Sequence, residues 1–140
     1  MQQKNTSPER AIENLMVSYA YANDDADIEE LGRLYKDATF RIDEMIAVGS
    51  DAIEAVASNM IQLMDDGRSS TTHELTNIVI DIHPSGDSAT GRAYWTLYKT
   101  ISGSPREAVL SGRYADIFVY HEGNWRFKER NATILWKLDS

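Results

Sequence analysis

A chain of 140 residues with 42% apolar and 26% charged side chains is long enough for one self-sufficient core and too apolar for global disorder. Its net charge of −8, from 22 acidic against 14 basic residues without any Lys/Arg run, argues against a nucleic-acid partner. The absence of cysteine removes disulfides, thiolate nucleophiles and thiolate metal ligands, and fits a reducing compartment.

Residues 1–6 are polar with no apolar segment behind them, so a secretory leader is not expected. No apolar run approaches the roughly 20 residues that a membrane helix needs. The expectation is a cytoplasmic protein without a membrane partner, folded as a single domain over 1–140 with a flexible tail over 1–7.

Ser7-Pro8-Glu9 reads as a helix start, with serine capping, proline at the first helical position and glutamate at the positive end. Ile12, Leu15, Met16 and Tyr19 follow as one apolar stripe. The helix should fade between Tyr21 and Asp27, where Asp27 and Glu30 form a capping-box pattern for a shorter helix carrying Ile28, Leu31, Leu34 and Tyr35. Asp24 thus lies at a junction of two helices. Thr39 to Asp43 alternates as a short strand. Gly49-Ser50-Asp51 is expected to turn the chain and cap a third helix, with Ile53, Val56, Ala57, Met60 and Met64 on its stripe, ended by Asp65-Asp66-Gly67.

The stretch from Ser70 to Ile82 is rich in β-branched residues and reads as one long strand. Strict alternation places His73, Leu75, Asn77 and Val79 on one face, a histidine and an amide among apolar neighbours. Pro84 to Asp87 is a turn. Ala89 to Ile101 is a second long strand, with Tyr94, Thr96 and Tyr98 on one face and Trp95 and Leu97 on the other. Ala108 to Tyr120 is a third. Glu122-Gly123-Asn124 is a hairpin turn into a fourth strand, Trp125 to Trp136. Short turns imply an antiparallel meander, and three helices gathered at the N-terminus must cover one face of it, an α+β arrangement. A long twisting sheet curled around helices leaves room for a pocket.

These residues resemble a known family. Ile12-Glu13-Asn14-Leu15-Met16 with Tyr19 and Asp24, Gly49 before the third helix and Thr72-His73 come first in the pattern. Ala89-Thr90-Gly91-Arg92-Ala93-Tyr94, Gly112-Arg113-Tyr114-Ala115-Asp116, and Gly123-Asn124-Trp125-Arg126-Phe127 with Arg130 complete it. Together they resemble the nuclear transport factor 2-like cone fold, and within it the SnoaL-like branch, over nearly the whole chain. The branch includes enzymes of the scytalone dehydratase, bile-acid dehydratase and hexachlorocyclohexane dehydrochlorinase types. The resemblance implies a cofactor-free, metal-free lyase or isomerase, dehydratase- or cyclase-like, in which His73 and Asp24 move a proton and Tyr19 hydrogen-bonds the substrate. It also implies a pocket position for Arg130. The second histidine or aspartate that some of these enzymes carry on the strand matching Ala89 to Ile101 is absent, and Tyr94 and Tyr98 stand in that strand instead.

The imidazole–carboxylate pair has its own logic. A neutral imidazole accepts a proton near pH 7, and a carboxylate on the other ring nitrogen fixes the tautomer and stabilises the imidazolium. Met16, Leu75, Asn77, Tyr94, Tyr98, Tyr114 and Arg130 are the candidate substrate-binding residues, although strand aromatics serve packing as readily. Asp116, near Arg113 and Arg130, is the runner-up acid but reads first as one half of a structural ion pair. His83 and His121 read as exposed, and three dispersed histidines point to no metal site. The expected ligand is a small apolar cyclic molecule. The alternative is a non-catalytic binding or assembly protein, like the small subunit of ring-hydroxylating dioxygenases. An outer sheet face carrying Ile78, Ile80, Trp95, Leu97, Ile117 and Val119 would favour a homodimer.

Overall fold

The structure, a computed structural model, describes residues 5–139; positions 1–4 of the expected tail lie outside the described residues. Helix α1 spans Pro8–Asp24, with the Ser7 side chain accepting the Arg10 backbone N–H and proline at the helix start. Such a cap is worth about 1 kcal/mol. The shorter α2, Ile28–Leu34, is capped by Asp27, whose carboxylate accepts the Glu30 N–H. Two short strands, β1 (Thr39–Ile42) and β2 (Met45–Val48), precede α3 (Gly49–Met60). Four long strands follow: β3 (Thr71–Ile82), β4 (Ser88–Lys99), β5 (Glu107–His121) and β6 (Asn124–Lys137).

The six strands form one open sheet in the order β2-β1-β6-β5-β4-β3. The long strands make the expected antiparallel meander. The sheet as a whole is mixed, however, because β1 runs parallel to β6. Strand β2 pairs antiparallel with β1; it is an element that the sequence pattern does not announce, with Ile46 and Val48 exposed and Ala47 buried. Serine and aspartate do not cap α3: Val48 takes the cap position without a side-chain bond, and the Ser50 hydroxyl donates to the Gly32 carbonyl at 2.7 Å instead. The helix also ends at Met60, earlier than expected, and residues 62–70 fold back as a small loop held by a Leu63–Ser69 bridge. Among the described residues no helix is long and apolar enough to cross a membrane.

The concave face of the sheet receives all three helices around a core that includes Ile12, Met16, Leu31, Tyr35, Phe118 and Phe127. Two features, a bulge in β3 and the choice of inner face in β4, decide what faces that core. In β3 a bulge interrupts the pairing between Thr76 and Val79, with Asn77 at φ 57°. Asparagine tolerates this left-handed conformation better than the β-branched residues around it. The extra residue reverses the facing, so Ile78, Ile80 and Ile82 pack on the core while Asn77 and Val79 are exposed.

In β4 the inward face is Ala89, Gly91, Ala93, Trp95 and Leu97, and Tyr94 is turned out. Small residues are needed there because α1 packs close: a side chain on Gly91 would meet Met16 and Phe118 at 3.0 Å. Four of the six residues expected on the outer face, Ile78, Ile80, Trp95 and Leu97, therefore face inward. The apolar patch on which the expectation of a dimer rested is reduced to Ile117 and Val119.

Gly112, opposite Trp95 in the register, tests the tightness of this packing. A Cβ at that position would lie 1.8 Å from the Thr133 carbonyl oxygen and 2.9 Å from the Trp95 ring. Gly112→Ala should lower stability by about 1–3 kcal/mol or more, as overpacking against unyielding backbone does. Urea unfolding of the variant beside wild type measures it, and equal midpoints would contradict the close fit of β5 against β6.

Candidate active site

The last turn of α1 and the first residues of β3 meet at one contact. Asp24 ends the helix, and its carboxylate accepts the His73 backbone N–H through both oxygens, at 3.1 and 3.0 Å. The same carboxylate lies 2.8 Å from His73 Nδ1. The Asp24 carbonyl in turn accepts the Ser69 N–H at 3.0 Å. Both side chains are largely enclosed, at 9% and 14% exposure for His73 and Asp24. An ionised carboxylate can only accept, so Nδ1 carries the proton in this pairing, and in the neutral imidazole Nε2 then keeps its lone pair.

His73 borders a cavity of about 150 Å³ between the helices and the concave sheet face. Its lining is apolar for the most part: Phe40, Ile53, Val56, Trp95, Leu97 and Leu110 are among the walls. Tyr19 and Tyr114 are there too. Tyr19 sits at the centre of an aromatic group, edge-on to His73 at 5.5 Å and to Tyr114 at 6.3 Å, and stacked on Phe40 at 5.7 Å. A second cleft, of about 270 Å³, lies between α1 and β3, bordered by Val17, Ala20, Tyr21, Asp24, His73 and Leu75. The pair thus touches two separate spaces.

Of the residues read from the sequence, the fold gathers Asp24, His73, Tyr19 and Tyr114 in one place. The others go elsewhere. Met16 is fully buried against Gly91 and is not a wall of the cavity that Tyr19 and Tyr114 border. Leu75 faces the second cleft. Asn77 is exposed at the bulge. Tyr94 lies on the outer face under Arg113, and Tyr98 stacks beneath Arg106 at 3.7 Å. Trp95 and Leu97, expected on the outer face, are walls of the cavity; the run of small residues Ala89, Gly91 and Ala93 sharing their face is the signal that marks it as the helix-packing side.

Arg130 is fully buried and is not among the walls of the cavity. Its Nε and Nη2 donate to the two Asp116 oxygens at 2.9 and 2.8 Å. Its guanidinium also lies over the Tyr114 ring at 3.8 Å and within 5.3 Å of Tyr19. Burial disfavours the charge, but Asp116 and the surrounding tyrosines outweigh it and keep the arginine protonated. Burial pushes the Asp116 carboxyl up, with the guanidinium pulling against that shift. Burial also raises the phenols of Tyr19 and Tyr114, against the opposing pull of Arg130, so both are hydrogen donors throughout the physiological range. Among the described residues no three His, Asp or Glu side chains cluster as metal ligands.

Two measurements check this interior. Arg130→Met leaves Asp116 buried without its partner and should cost about 3–5 kcal/mol in urea unfolding, whereas replacing both residues by apolar ones should cost less. A spectroscopic titration of the phenols should show Tyr19, Tyr35 and Tyr114 lagging behind the exposed tyrosines. In the unfolded chain these groups ionise near 10.0, while in the fold they hold their protons to higher pH. Stability should therefore fall as pH rises above about 10. All seven tyrosines titrating together, in a chain still folded, would contradict it.

Residues 5–131 match the SnoaL-like domain family. No curated protein sequence matches the chain. Among solved structures, a candidate scytalone dehydratase from Novosphingobium aromaticivorans is 28% identical, with 100% of this chain and 92% of that one covered at a TM-score of 0.76. A candidate aromatic ring hydroxylase from the same organism is 25% identical over 96% and 95% of the two chains, at 0.73. Hexachlorocyclohexane dehydrochlorinase type 3 from Novosphingobium barchaimii, 16% identical over 93% and 88% at 0.76, shares the fold.

Proposed function

Since the chain belongs to the SnoaL-like domain family, we propose that it is a cofactor-independent lyase or isomerase in which Asp24 and His73 transfer a proton on a small, mostly apolar ring. One observation carries this reading: His73 Nδ1 is bonded to Asp24 at 2.8 Å while the same imidazole borders an apolar cavity. Nε2 is then the base. It takes a proton from a ring carbon, and the C–H electron pair becomes the new double bond as a leaving group departs from the neighbouring carbon with its own bonding pair. Asp24 stabilises the imidazolium so formed. Tyr19 and Tyr114, protonated and bordering the cavity, are donors for the departing group. Walls of hydrocarbon strengthen each of these interactions by excluding water. The dehydratase-type relative supports the reaction class.

The second reading is a member that binds or assembles without chemistry, and the absence of a second histidine or aspartate from the strand carrying Tyr94 and Tyr98 favours it. The two readings diverge on His73. If it is the base, His73→Ala should lose about 10²–10⁴-fold in turnover with ligand affinity largely kept. Asp24→Asn should also lose turnover, since an amide does not stabilise the imidazolium. Mass spectrometry of products from hydroxylated and halogenated cyclic compounds, incubated with wild type and His73→Ala, measures it. Equal conversion by both would remove His73 from the mechanism, and binding without conversion by wild type would favour the second reading.

A further inference from the structure

The apolar cavity and the second cleft have one residue in common. Among the described residues His73 alone borders both, while Asp24 borders only the cleft. The exposed part of the Asp24 side chain therefore does not open into the cavity. The imidazole stands as a partition between the two spaces. Its Nδ1 edge turns to Asp24 and the cleft. Nε2, the proposed base, serves the other side.

The carboxylate has an acceptor site to spare. Its two oxygens offer about four lone-pair positions. Oδ1 accepts the His73 backbone N–H at 3.1 Å and lies 2.8 Å from the ring nitrogen, whereas Oδ2 accepts only the backbone N–H, at 3.0 Å. The cleft beside it encloses about 270 Å³, against the roughly 10–15 Å³ that one water needs. Tyr21 on its border is 71% exposed, which places that border at the molecular surface. A carboxylate oxygen with a vacant lone pair, next to a space of this size that opens at the surface, is a place for water. The cavity is the opposite kind of space, with hydrocarbon walls that exclude water once a ring fills it.

We propose that the second cleft is the solvent port of the pair: water in it exchanges protons with Asp24, and through Asp24 with His73, while the cavity is occupied. The port rests on the geometry of the pair; its catalytic use rests on the proposed function. In the exchange the Nδ1 proton passes to Asp24, and the carboxylic acid so formed gives its proton to a water in the cleft. A proton from water returns to the ring by the same path, so protons and charge balance. This gives the base an outlet that does not wait for product to leave. An imidazolium made by taking a carbon-bound proton at Nε2 discharges its Nδ1 proton to the cleft. The ring is then neutral with its proton on Nε2, and that proton passes to the departing group as the cleft refills Nδ1.

The test needs no substrate. The Nδ1 proton held by Asp24 is observed by proton NMR, and its exchange with water by saturation transfer. Filling the cleft with Leu75→Trp should slow the exchange by about tenfold or more, because it then waits on local opening of α1 from β3. If the wild-type signal is lost to fast exchange, it should become visible in this variant. Filling the cavity with Val56→Phe should leave the exchange as it is in wild type. Where a filling variant does not fold, Ala20→Leu serves for the cleft and Leu110→Trp for the cavity; both positions border the same spaces. Exchange indifferent to the filled cleft, or slowed as much by the filled cavity, would overturn the port. Slowed exchange in a protein without His73-dependent conversion keeps the port and removes the catalytic reading. Conversion that depends on His73, with exchange indifferent to Leu75→Trp, does the reverse.

Discussion

The carboxylate of Asp24 ties the end of the first helix to the start of the third strand, and the geometry of the site depends on that tie. It accepts the His73 backbone N–H as well as the ring, while the neighbouring carbonyl accepts Ser69. One side chain therefore sets the position of a strand and the orientation of its imidazole together. Local structure and chemistry are coupled here: moving the helix end would also turn the base. A carboxylate with several donors aimed at it is also satisfied in a place where an unpaired charge would be costly.

A second buried pair works differently. Asp116 and Arg130 face each other across β5 and β6 with no exposure of either side chain. Their bidentate bonds satisfy most of both groups, and aromatic faces of Tyr114 and Phe127 take up the rest of the guanidinium's surroundings. The pair sits behind the aromatic wall of the cavity, not in it. Its guanidinium lies over the Tyr114 ring, on which Trp95 also stacks. Rigidity of this kind is what keeps a few polar groups aimed within an apolar space. The two carboxylates have opposite places: Asp24 orders a group that borders the cavity, and Asp116 orders the structure behind it.

Much was legible in the chain itself. The cap at Ser7, the capping pair Asp27 and Glu30, the four long strands and their short turns follow from local chemistry, and the structure has each of them. The meeting of Asp24 with His73 was legible only through family resemblance, because 49 residues separate them and no local rule brings them together. Turn and capping rules act over a few residues; side chains on different elements meet only when the whole sheet has wrapped the helices.

Tertiary structure alone decided which face of each strand is the inside. Alternation assigns side chains to two faces without saying which is covered, so Tyr94 and Tyr98 were as plausible in the pocket as Trp95 and Leu97. The answer came from α1, which needs the small residues Ala89, Gly91 and Ala93 beneath it and so brings Trp95 inward with them. The bulge at Asn77 was beyond alternation for the same reason: one extra residue reverses every side chain after it, turning Val79 out and Ile78 in. The parallel pairing of β1 with β6 joins residues some 90 positions apart in the chain, through contacts no local pattern encodes. Composition and periodicity determined the elements other than β2 and their order, since those depend on neighbours in sequence. The cavity and its walls were decided by packing, since they depend on which surfaces bury each other.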